Sequence, residues 1–86
     1  MQKPTIHLNG TPASRLSEAS YAAANAIQDA LTALGKAHPN ARDYYVQGAD
    51  AYSKADTEQE ERYDKLRSVY TDMVALADHV ESQARR

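Results

Sequence analysis

The chain has 86 residues, ten basic and twelve acidic, with a formal charge of −2 and no cysteine. That size gives one small domain. The composition excludes disulfides and cysteine-based zinc sites, and it offers no basic footprint for nucleic acid. All six aromatic residues are tyrosines, which suit surfaces where one end of a ring is dry and the other meets a polar partner.

Residues 1–10 read as an extended arm. MQKPTIHL has no long apolar core, so no signal peptide is expected, and no window approaches the roughly 20 apolar residues of a membrane span. Thr5-Ile6-His7-Leu8 alternates weakly and Asn9-Gly10 marks a turn. Asn9-Gly10-Thr11 also matches the glycosylation pattern, a chance match in a chain expected to be cytoplasmic.

Thr11-Pro12 reads as a helix start, a hydroxyl cap followed by proline at the first helical position. A helix is expected over 12–34, rich in alanine, with Gly35 as its C-terminal cap. Leu16, Ser20, Ala23, Ile27, Ala30 and Leu34 give heptad spacing, the seam of helix-on-helix packing. The Ala22-Ala23-Ala24 run and Ala26 widen a small face that lets another helix approach closely.

Residues 36–56 read as a connection. Pro39-Asn40 turns the chain, and residues 48–55 form either a short helix or an early extension of the next one. Thr57 to Glu60 fits a capping box, so the second helix is expected over 57–84. Its seam runs Tyr63, Leu66, Tyr70, Met73, Ala77, Val80 and Ala84. Carried backwards, the register falls on Gln59, Asp56, Tyr52, Ala49 and Tyr45; the polar pair predicts a break near Asp56-Thr57. Glu58–Arg62, Glu61–Lys65 and Glu81–Arg85 are i,i+4 pairs on a solvated side.

The expected fold is all-α, one domain over 1–86: an antiparallel two-helix hairpin of about 35 and 42 Å at 1.5 Å per residue, with an extended arm and an ordered connection. A hairpin leaves part of each apolar stripe in water, and pairing hairpins into a bundle covers it. A homo-oligomer, a dimer or higher, is therefore the expected state.

No phosphate loop, nucleophile elbow or zinc helix is present, so no catalytic residues are assigned and the chain reads as a non-enzyme. His7, His38 and His79 lack ligand spacing; neither a metal nor a cofactor is expected. Neither nucleic acid nor a membrane is expected as a partner.

The chemistry concentrates in PNARDYYVQG, residues 39–48. Arg42 offers a planar fork for phosphate or carboxylate. Asp43 orients that fork or accepts from a ligand. Tyr44 and Tyr45 offer stacking faces, and Asn40, Gln47 and Gly48 offer amides and backbone access. The combination suits an anionic, ring-bearing, nucleotide-like ligand. The plainer reading is that Arg42 and Asp43 close the loop while the tyrosines cover the end of the bundle. His7 and Asn9 of the arm complete the candidate set, although a hairpin brings them to residues 39–48 only across an oligomer interface or by folding back.

IHLNGT near the start and PNARDYYVQG in the middle resemble a group of small bacteriophage and prophage proteins. The shared positions are His7, Asn9, Gly10 and Thr11, then Pro39, Asn40, Arg42, Asp43, Tyr44, Tyr45, Gln47 and Gly48. The resemblance implies an origin more than a mechanism: an accessory factor in a bacterial host cell that binds a host component. Some such proteins are anti-defence sponges that trap nucleotide signals. The first expectation is thus a non-catalytic protein that sequesters a nucleotide-like anion. The alternatives are an interaction module or inhibitor binding a host protein, or a purely structural oligomer.

Overall fold

The computed structural model describes residues 1–85 and is all-helical, with no strand among those residues. Helix α1 spans Ala13–Lys36 and helix α2 spans Ala51–Ala84, joined by two single 3-10 turns at Ala41–Asp43 and Tyr45–Gln47. The two long helices pack antiparallel: Tyr21 reaches Asp78, while Leu34 meets Gln59 at the other end.

The start of α1 differs from expectation. Pro12 is itself the N-cap, with ψ 144°, and no side chain caps the helix. Its carbonyl accepts from Arg15 and Leu16 N–H at 3.1 and 3.2 Å. Thr11 lies one residue too early for its hydroxyl to serve.

The end of α1 also differs. The helix runs through Gly35 to Lys36, and the one glycine with positive φ is Gly48. Gly35 is there for space, because a Cβ at this position would lie 2.9 Å from the Tyr63 hydroxyl.

For helix α2 the early extension holds from Ala51 onward, and the expected break does not. The helix passes unbroken through Asp56-Thr57, giving about 51 Å at 1.5 Å per residue. The Thr57–Glu60 capping pattern thus sits inside a helix. Tertiary partners overrule it: buried Gln59 donates its Nε2 to the Leu34 carbonyl at 3.0 Å, and Asp56 accepts from His38 Nε2 at 2.8 Å. The polar stretch of the seam is where α2 receives the end of α1 and the start of the connection.

The seam of α2 from Tyr63 to Val80 is at least half-buried throughout, but Ala84 is exposed. The phase of α1 is rotated from the expected one. Ser17 and Ala24 are buried and Leu31 is half-buried, whereas Ala30 is exposed. The observed seam is Ser17, Ser20, Ala24, Ile27, Leu31 and Leu34.

This core is thin. Only Ala24, Ala77 and Val80 are buried apolar residues among those described, and Ser17 and Gln59 are the buried polar ones. The molecule measures 62 × 20 × 17 Å with a radius of gyration of 18.7 Å, against about 12 Å for a compact domain of this length. Among the described residues no helix is long and apolar enough to cross a membrane.

The arm is tied to the far end of α2. Ile6 N–H donates to Gln83 Oε1 at 2.8 Å, and Gln83 Nε2 donates to the Pro4 carbonyl at 3.0 Å. His79 Nε2 approaches the same carbonyl at 3.1 Å. Gly10 N–H closes a turn onto the His7 carbonyl.

Candidate functional site at the connection

The connection is built from the end of α1 outward. Ala37 and His38 donate back to Leu34 and Gly35, and Pro39, lacking an N–H, leaves the helix path. Asn40 Oδ1 accepts from Arg42 N–H at 3.1 Å and Asn40 O accepts from Asp43 N–H at 3.0 Å. Closure therefore runs through the Asn40 side chain and the backbone, not through an Arg42–Asp43 side-chain pair. Gly48, at φ 118° and ψ 170°, then turns the chain into α2 through a region essentially reserved for glycine.

The adjacent tyrosines part company. Tyr44 is half-buried, its ring centroid 6.5 Å from that of Tyr52 and tilted by 53°, a favourable aromatic geometry. Tyr45 is 75% exposed, and Val46 beside it is 78% exposed. One ring joins the connection to the first turn of α2; the other stands in solvent at the tip.

Between the connection and α2 lies an open cleft of about 580 Å³, a size typical of small-molecule sites. Pro39, Tyr44, Gln47 and the stretch from Gly48 to Ala51 form one wall, and Lys54, Glu58 and Arg62 form the other. The last three are spaced i, i+4, i+8 and share one face of α2. Arg62 is oriented before any ligand arrives: it donates to Gln59 Oε1 at 3.0 Å and lies 3.9 Å from Glu58. Gln59 thus binds the end of α1 with its amide N–H and holds a cleft cation with its carbonyl oxygen.

Of the eight residues expected from sequence, Tyr44 and Gln47 line the cleft. Asn40, Arg42, Asp43 and Tyr45 belong to the same loop but not to its lining. His7 and Asn9 lie at the opposite end of the rod, where the arm is held by Gln83 and His79. The residues that sequence reasoning missed are Lys54 and Arg62. Their shared face becomes visible once α2 is extended back to Ala51.

Comparison with protein-family models, curated proteins and solved structures finds no match to this chain.

Chemically, the cleft presents two cations, Lys54 and Arg62, against two carboxylates, Asp50 and Glu58, with one aromatic ring. No group of three or more His, Asp or Glu side chains that would hold a metal ion occurs among the described residues. A perturbed phenol lies away from the cleft. Tyr21 donates to Asp78 at 2.6 Å, and this hydrogen bond, with smaller contributions from desolvation and the charges of Asp78 and Glu81, pushes its phenol up to about 12.

Proposed function

We propose that the chain is a non-catalytic accessory protein that binds a small, ring-bearing anion of nucleotide type in the cleft at its connection end. The observation that carries this reading is the convergence of Tyr44, Lys54 and Arg62 on one open cleft. Lys54 and Arg62 supply the charge for a phosphate, Arg62 through a planar fork. Tyr44 supplies a face for a base. Asp50 and Glu58 accept from the amino and hydroxyl groups that nucleotides carry, which a simple inorganic anion lacks. The cation of the site is thus assigned to α2 and not to Arg42. Sequestration of a nucleotide signal is the form this activity takes if the resemblance to phage proteins reflects descent.

Titration calorimetry with nucleoside monophosphates and cyclic dinucleotides tests the reading. Binding by the wild type is expected to weaken about tenfold or more in Arg62→Ala, the loss of a charge-assisted hydrogen bond, and to change little in Arg42→Ala. Absence of heat with every probe, or the opposite ranking of the two variants, defeats it.

A second reading, docking onto a host protein, is favoured by Tyr45 and Val46, two neighbouring large side chains held mostly in solvent at the tip. Retention of one stoichiometric host protein that Tyr45→Ala releases would select that reading.

A further inference from the structure

The hairpin has two unlike edges. On one, Tyr21 reaches across to Asp78 and Glu81, and farther along Arg67 lies 5.1 Å over the Tyr63 ring. That edge is polar and bridged. Helix periodicity puts Leu16, Ala23 and Ala30 of α1 on the opposite edge, with Val69 and Leu76 of α2 alongside them. Val69 is 46% exposed and Ala30 is exposed, and no hydrogen bond or ion pair crosses between the helices there among the described residues.

The outer surface of α1 continues this apolar edge. Leu16, Ala19, Ala23, Ala26, Ala30 and Ala33 are spaced 3, 4, 3, 4, 3, and no polar residue interrupts the series. The neighbouring rows are polar apart from Ala22: Arg15, Asp29 and Lys36 in one, Glu18, Asn25 and Thr32 in the next. Helix propensity favours alanine anywhere on a helix surface; it does not sort alanines into one row and charges into the next. Helix α1 therefore has two seams, one of small and apolar residues with two serines and one wholly apolar. The inner one, from Ser17 to Leu34, is spent on α2. Of the outer one, Ala19, Ala26, Ala30 and Ala33 face solvent, while Leu16 and Ala23 are half-buried along its inner margin.

We infer that this outer seam, with Val69 and Leu76, is the docking face for a second copy of the chain, giving a four-helix bundle of two hairpins. The area supports this occupant. A compact monomer of 9.5 kDa exposes about 5,000 Å², whereas this chain exposes 6280 Å². The excess is about 1,200 Å² per chain, so a pair that removed it would bury about 2,400 Å², within the span of obligate homodimers. The face also suits a two-fold contact, in which one patch meets itself. Its centre is apolar and small, and polar residues flank it on α1, the layout of a specific interface. Small residues let the two α1 helices approach closely. This inference stands apart from the ligand reading, since the seam is complete without the cleft.

Sedimentation equilibrium of the full chain at tens of micromolar tests it. The expected mass is twice 9.5 kDa. Ala26→Arg places a charge at the centre of the outer seam and is expected to give a monomer with little change in helical circular dichroism, because Ala26 is exposed in the single hairpin. Gln28→Arg, on the bridged edge, is expected to remain a dimer. Ala30→Arg repeats the test one turn along the seam and guards against a local folding defect at residue 26. A monomeric wild type overturns the inference. So does an assembly that survives both Ala26→Arg and Ala30→Arg, whether it is held by another face or by a different partner.

Discussion

Gln59 Nε2 donates to the Leu34 carbonyl at 3.0 Å from a position where Gln59 is 3% exposed. The same carbonyl accepts from Ala37 N–H at 3.1 Å, so Gln59 fills its second acceptor position at the end of α1. This bond explains why a polar residue occupies the seam. Gln59→Leu keeps the approximate volume and removes the donor. Equilibrium urea unfolding is expected to show a loss of about 0.5–1.5 kcal/mol, and the same variant frees Arg62 from its Gln59 contact. An unchanged midpoint would show that water serves Leu34 equally well.

The glycines at the two ends of the connection predict opposite remedies. Gly48 has open space around it but a φ of 118°, so Gly48→Ala is expected to cost about 1–3 kcal/mol whatever its neighbours become. Gly35 has ordinary helical backbone but a crowded side-chain position against Tyr63 Oη. Gly35→Ala is expected to destabilise wild type and, in a Tyr63→Phe background, to stabilise by up to about 1 kcal/mol through helix propensity. A urea-midpoint cycle over the four Gly35/Tyr63 variants, with Gly48→Ala beside it, reads both.

Tyr21 predicts a weakness in alkali. Its folded-state phenol is pushed from 10.0 up to about 12, chiefly by the hydrogen bond to Asp78, so the folded chain holds this proton more tightly than the unfolded chain does. The associated stability is complete below pH 10 and is lost as pH rises toward 12. Urea midpoints across that window are expected to fall more steeply for wild type than for Tyr21→Phe. Parallel curves would remove Tyr21 as the cause.

The arm predicts a local effect without a global one. Gln83 both accepts from Ile6 N–H and donates to the Pro4 carbonyl. In Gln83→Ala, the Ile6 amide is expected to lose its hydrogen-exchange protection while the amides of the α1–α2 seam keep theirs. Loss of seam protection as well would mean that the arm is part of the core.

Much of the hairpin was legible in the sequence. Two helices, their antiparallel pairing and the α2 seam from Tyr63 to Val80 all followed from heptad spacing. The start of α2 did not, because Thr57–Glu60 is a sound local signal and its override comes from Leu34 and His38, far away in the chain. The phase of α1 was ambiguous for a different reason: Ala23 and Ala24 are neighbours in sequence, and each belongs to a complete seam. At the connection, the turn was legible but the lining of the cleft was not. Arg42 drew attention within a distinctive motif, whereas Arg62 looked like one more member of a surface pair until the first turns of α2 were in place.

The unequal helix lengths have a mechanical consequence. Helix α2 has 34 residues against 24 in α1, and its surplus turns overhang the end of α1, with the connection folded back on them as a splint. Fraying that begins at Ala51 therefore detaches the splint and melts the overhang while the paired seam stays closed. Local opening of this kind costs much less than global unfolding. A molecule lodged between splint and overhang acts as a pin, so its arrival would register as added helix at one end of the rod.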